Sequence, residues 1–169
     1  MTVFNSPSIS AVVTARGGSK SIYKKNLIQV LGRPVLHWPL LALKESRFSI
    51  NTYVSTDCEL ISSSAKLLNV PTIWRGPELS ADDTNHGDTI IDAFNKIDLI
   101  HGVPDIYVIL IGNSVMLDSN LVNDTIDLLC QSETASGVMT VWEAADDHPY
   151  RALRLSPDGF LVPFENRLV

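Results

Sequence analysis

The groups best suited to chemistry crowd into one stretch, Ala15-Arg16-Gly17-Gly18-Ser19-Lys20-Ser21-Ile22-Tyr23-Lys24-Lys25-Asn26. Arg16, Lys20, Lys24 and Lys25 place four positive charges within ten residues, in a chain whose formal net charge is −6. The local excess of cations therefore runs against the balance of the whole. Two adjacent glycines remove the Cβ atoms that would keep a ligand away from main-chain N–H groups. Cations beside such N–H groups make a site for a polyanion. The loop follows at once on a short apolar run, Ile9-Ser10-Ala11-Val12-Val13-Thr14, which reads as a buried strand.

The elements that must hold this loop alternate along the chain. Strand-like runs are predicted at residues 9–14, 52–55, 71–74, 106–111 and 137–142. Helices are predicted at 34–46, 58–68, 87–97 and 120–130. Pro34 stands near the first turn of the first, where a missing N–H costs little. Thr56 and Glu59 have the spacing of a capping box for the second. The apolar run Ile106-Tyr107-Val108-Ile109-Leu110-Ile111 suits a strand covered on both faces. Alternation of strands and helices predicts an α/β fold with a mostly parallel sheet. Near the end, Tyr150-Arg151-Ala152-Leu153-Arg154-Leu155, the turn residues Ser156-Pro157-Asp158-Gly159 and then Phe160-Leu161-Val162 predict a β-hairpin.

In open α/β sheets ligands bind at the carboxyl ends of the strands. That rule selects the 16–26 loop, Thr56 and Asp57, residues 75–87, residues 112–118 and residues 143–148. Asp57 reads equally well as a helix cap or as a nucleotide contact. Arg75 reads as a ligand contact or as a surface ion pair. Asn113 and Ser114 stand at a strand end and suit a turn or a site.

Composition sets the outer bounds. A length of 169 residues, 45% hydrophobic and 19% charged, fits one globular domain over 1–169. The acidic balance argues against nucleic acid as a general partner. No apolar run approaches the roughly 18 residues of a membrane span. Cys58 and Cys130 lie far apart without metal-ligand spacing, as expected of reduced thiols in the cytoplasm. The cation loop is not a Walker A motif, because Ser19 rather than glycine precedes Lys20. It is not G-x-G-x-x-G either, which disfavours a nicotinamide oxidoreductase.

Ala15-Arg16-Gly17-Gly18-Ser19-Lys20 with Lys25-Asn26 closely resembles the signature loop of the acylneuraminate cytidylyltransferases, the CMP-sialic acid synthetases. The CMP-KDO synthetases are more distant cousins. The likeness continues in order through Leu31-Gly32-Arg33-Pro34-Val35-Leu36, Val54-Ser55-Thr56-Asp57, Arg75-Gly76-Pro77-Glu78-Leu79-Ser80-Ala81-Asp82 and His148-Pro149-Tyr150. The resemblance implies a Rossmann-like three-layer sandwich of the nucleotide-diphospho-sugar transferase type, ending in a β-hairpin. It implies transfer of CMP from CTP to an acidic nine-carbon sugar, with Mg²⁺ and release of pyrophosphate, in a cytoplasmic homodimer.

By that resemblance Arg16 and Lys20 hold the triphosphate, and Lys25 sits on the α-phosphate. Ala15, Gly17, Gly18 and Ser19 shape the cradle, and Asn26 contacts the nucleotide. Arg75 serves the cytidine part, and His86 lies where the family makes base and ribose contacts. Two departures stand out. Gly112-Asn113-Ser114 replaces the family's sugar-contacting segment, so Asn113 and Ser114 are the expected acceptor contacts, and a neutral Asn113 is a poor Mg²⁺ ligand. The family also continues beyond the equivalent of position 169 to a pair of metal-binding aspartates that nothing here matches. A nucleotide-binding module with weak or no catalysis is the alternative these departures suggest.

Overall fold

The computed structural model describes residues 6–18, 22–81, 84–143 and 152–164. Two compact units divide the chain, Met1–Val138 and Met139–Val169. In the first, β1 (Ile9–Thr14), β4 (Ile50–Thr56), β5 (Thr72–Trp74) and β6 (Ile106–Ile111) form a parallel sheet in the order β5-β4-β1-β6. Between β1 and β4 lie a 3-10 turn at Lys25–Leu27, a small hairpin of β2 (Gln29–Val30) and β3 (Arg33–Pro34), and α1 (His37–Lys44). Helices α2 (Glu59–Lys66), α3 (His86–His101) and α4 (Ser119–Gln131) complete the unit.

The period of two along β1 divides the core. Ile9, Ala11 and Val13 join Leu36, Leu40 and Leu43 near and on α1, Ile61 and Ala65 of α2, and Val122 and Ile126 of α4. Val12 joins Tyr53 and Ile73 with Ala93, Phe94 and Ile97 of α3. Helices therefore lie on both faces of a central parallel sheet, and β1, buried at all six positions, is its axis. The predicted α/β sandwich is the fold that forms.

Several boundaries moved for local reasons. Helix α1 starts at His37, and Pro34 belongs to β3 instead. Pro39 takes the first-turn place, where no intrahelical N–H bond is lost. Leu31 (φ 50°) and Gly32 (φ 80°) turn the β2–β3 hairpin, both in left-handed backbone as its tight reversal requires. The expected capping box is not made: α2 begins at Glu59, too early for its side chain to reach back, and Thr56 Oγ1 accepts from the Cys58 N–H at 3.2 Å. Asn85 and Asp118 do cap α3 and α4, accepting from Gly87 N–H and Leu121 N–H, each at 2.9 Å.

Two strand expectations need correction. The second face of β6 is covered only in part: among the described residues it is an edge strand, Phe94 and Asp98 of α3 reach Tyr107, and Tyr107, Ile109 and Ile111 keep 38%, 47% and 52% of their surface exposed. Residues 137–142 form no strand; among the described residues they have no ladder partner, and Met139, Val141 and Trp142 are exposed. The second unit contains the hairpin of β7 (Leu153–Leu155) and β8 (Leu161–Pro163). Gly159 (φ 84°) turns it, with the Ser156 N–H donating to Phe160 O at 2.8 Å. Tyr150 and Arg151, the expected start of its first strand, lie outside the described residues. Among the described residues no helix is long and apolar enough to cross a membrane.

Candidate active site

The carboxyl ends of β1, β4 and β5 carry one connected cluster. β1 ends at Thr14, and the chain then turns outward through buried Ala15, half-buried Arg16 and Gly17, and exposed Gly18. Ser55, fully buried in β4, anchors both sides of the cluster. Its carbonyl accepts from the Ala15 N–H at 3.0 Å and from Arg75 Nη2 at 2.7 Å. Its hydroxyl accepts from Arg75 Nε at 2.9 Å, and the Arg75 N–H bonds to Thr56 O at 3.1 Å. Arg75 is thus held by two of its five side-chain N–H donors before any ligand arrives. Desolvation lowers the Arg75 pKa from its ordinary value, opposed by the nearby Asp57 carboxylate and reinforced by the Arg16 charge.

Gly17 is needed for space. A Cβ there would lie 2.7 Å from Cys58 Cβ, whereas one on Gly18 would meet nothing within 4 Å among the described residues. The Gly17 N–H is directed at Asp57 Oδ1, at 2.7 Å. Of the two glycines expected to offer their main chain to an anion, Gly17 has its N–H engaged by Asp57. Asn26, expected to contact the nucleotide, is buried under the loop, and its Nδ2 donates to Arg16 O at 3.1 Å. Lys25, half-buried, opens the 3-10 turn after Lys24, which is in left-handed backbone (φ 49°). Leu36 N–H ties that turn to the start of α1 by donating to Asn26 O at 2.9 Å.

His86 stands at the first position of α3, and its Nε2 lies 3.0 Å from Thr14 Oγ1. Partial burial, and then the Arg75 charge, push its pKa below the ordinary imidazole value, which favours the neutral ring. The loop after β6 joins the cluster at buried Gly112, whose N–H donates to Thr14 O at 2.9 Å. A Cβ on Gly112 would lie 2.8 Å from Ala15 Cβ and 3.4 Å from Asn26 Oδ1. Beyond it Asn113 is exposed and Ser114 half-buried, in a turn closed by Ser114 N–H to Ile111 O at 3.1 Å. Ser19 and Lys20 lie outside the described residues.

The structure thus brings Ala15, Arg16, Gly17, Asn26, Arg75 and His86 into one network, and places Asn113 and Ser114 on the neighbouring loop. Thr14, Ser55, Asp57 and Gly112 also belong to it. Ser55 and Gly112 carried a weak signal, a polar residue and a glycine at the ends of apolar strands. Among the described residues no group of three or more His, Cys, Asp and Glu is placed to hold a metal ion.

A parallel sheet with helices on both faces and a site at its carboxyl edge is an α/β sandwich. A cytidylyltransferase family model matches residues 10–150, and the chain belongs to that family. It is 30% identical over 151 residues, 89% of its length, to N-acylneuraminate cytidylyltransferase A of Danio rerio, and that match spans 33% of the relative. It is 26% identical over 156 residues to a Helicobacter pylori protein named for pseudaminic acid cytidylyltransferase and a hydrolase activity, covering 92% of this chain and 29% of that one. Its fold is similar to that of a CMP:2-keto-3-deoxy-manno-octonic acid synthetase complexed with CTP. There the TM-score is 0.63 at 19% identity, covering 75% of this chain and 49% of that one. The chain therefore spans half or less of the length of these relatives.

Proposed function

We propose that the protein transfers CMP from CTP to a sialic-acid-like nonulosonic acid, with release of pyrophosphate. The observation that carries this reading is the joining of the 15–18 loop, Arg75 and His86 at the carboxyl ends of β1, β4 and β5. Family membership and the names of the relatives support it. In the reaction the sugar's anomeric hydroxyl oxygen attacks the α-phosphorus. One P–O bond forms, the bond to the bridging oxygen of the β-phosphate breaks, and pyrophosphate leaves with that electron pair. The hydroxyl proton is lost to water. Charge grows on the phosphate oxygens, so cations fixed beforehand lower the barrier.

Arg16 and Lys20 hold the triphosphate in this scheme, and Lys25 meets the α-phosphate where charge develops. Ala15 and Gly17 set the shape of the loop, Gly18 leaves room for phosphate, and Ser19 is among the nucleotide-binding residues. Asn26 acts from beneath through the Arg16 carbonyl. Arg75 and His86 serve the nucleoside, and Asn113 and Ser114 the acceptor sugar. Mg²⁺ would enter with the triphosphate, whose oxygens are the hard ligands it prefers. A homodimer in the cytoplasm is part of the same proposal.

The test is pyrophosphate release with each of four nucleoside triphosphates against a panel of nonulosonic acids. Release with CTP and one sugar class is the expected result. CTP binding without release would make the protein a nucleotide-binding module, the reading that Asn113 favours. No CTP binding would overturn both.

A further inference from the structure

Asp57 is a carboxylate in a place reserved, on the proposed reading, for an anionic ligand. It follows β4 at the sheet's carboxyl edge and is exposed. A triphosphate arriving there would be repelled by it, so Asp57 weakens binding unless it does something for the cations and amides around it. The structure gives it two such tasks. Its Oδ1 accepts from the Gly17 N–H at 2.7 Å, the short length of a charge-assisted bond. Its charge also acts on the Arg75 guanidinium, against the repulsion from Arg16.

The covalent order places Cys58 next. Its Cβ lies 2.7 Å from where a Gly17 Cβ would stand, so the main chain of the loop rests on the 57–58 corner. With the Gly17 N–H taken and its Cα packed down, Gly18 has no neighbour among the described residues against a Cβ position. Neither a solvated aspartate nor a helix cap has these partners, and α2 draws no cap from Asp57.

We propose that Asp57 is a positioning residue that holds the Gly17 N–H and so fixes the shape in which the loop meets triphosphate. The inference rests on the proposed CTP site. Asp57 touches the loop and acts through it.

The experiment is calorimetric CTP binding to the full chain and to its Asp57→Ala and Asp57→Asn variants, with amide exchange at Gly17 and thermal melting of each. Asp57→Ala should weaken CTP binding about tenfold, the equivalent of one charge-assisted bond, and speed Gly17 exchange. Asp57→Asn keeps an acceptor oxygen and should recover most of both losses. Melting temperatures should stay together, since a surface carboxylate adds little to the core. Unchanged or tighter binding by Asp57→Ala would overturn the proposal, as would failure of Asp57→Asn to recover either loss, or a fall in melting temperature that accounts for the weaker binding. If the wild-type chain binds no CTP, the functional reading fails with it. If wild type binds and Asp57→Ala binds equally well, only the role of Asp57 fails.

Discussion

The loops after β1, β4 and β5 are tied to one another, whereas the loop after β6 is tied to the sheet at Gly112 and then to itself. Gly17 bonds to Asp57, Ala15 and Arg75 share Ser55 O, and His86 meets Thr14. Past Gly112, Ser114 N–H returns to Ile111 O and Val115 N–H to Asn113 O. The strands differ in the same sense: β1 is buried along its whole length, while β6 leaves alternate residues exposed. One region has its geometry set by the fold before a ligand arrives. The other is a turn on an edge strand, where side chains can change without disturbing the core. On the proposed reading, this division separates a fixed nucleotide site from an adaptable acceptor site.

The contrast breaks most visibly at Lys25. Lys25→Ala should lower turnover by about 10² to 10³, with CTP affinity changed by less than a few-fold. Single-turnover kinetics beside calorimetry would check this; an equal loss in both would make Lys25 a ground-state contact.

Gly17 and Gly18 sharpen the comparison within one turn. Gly17→Ala should cost about 1–3 kcal/mol by overpacking Cys58, read as a lower midpoint in urea. Gly18→Ala should change stability by less than about 0.5 kcal/mol. Equal effects would show that the loop does not rest on Cys58. Arg16→Ala should weaken CTP binding about tenfold at low salt, and less at high salt, as screening removes the wild-type advantage. A loss independent of salt would assign Arg16 to shaping the loop.

Much of this arrangement was legible in the sequence. β1 and β6 fall on the residues their apolar runs predict; in β1 the continuous apolar run reflects burial on both faces, whereas in β6 the same kind of run belongs to an edge strand. The site loops follow from the carboxyl-end rule. What escaped reading has physical causes. The coverage of β6 depends on which helix lies over it, and strand order is not local information. Residues 137–142 have strand propensity, but propensity without a ladder partner leaves them irregular. Gly17 looked like an open backbone and is a close contact, which depends on Cys58, distant in sequence. Asn26 was expected at the nucleotide, and the fold adds a bond the sequence did not show, from one of its amide N–H groups to Arg16 O.

The smallest expected effect concerns His86. Its pKa is lowered, so protonation is disfavoured in the folded state. The stability linked to the neutral ring is present above the unfolded imidazole value, about 6.5, and is lost as pH falls from there through the lowered folded value. NMR titration should place the His86 midpoint below that of an unfolded histidine. Arg75→Gln should move it upward, though not fully, since partial burial is the larger cause. An unmoved midpoint would separate His86 from the Arg75 cluster.

The Ser55 carbonyl oxygen has a kinetic consequence. One of its lone pairs holds the first N–H of the cation loop and the other holds the guanidinium. On the proposed reading, these two partners grip opposite ends of a bound nucleotide. A wrong base that drew the guanidinium aside would loosen an atom that also fixes the phosphate end. Discrimination between nucleotides would then be read out as slow transfer, even for a triphosphate that binds well.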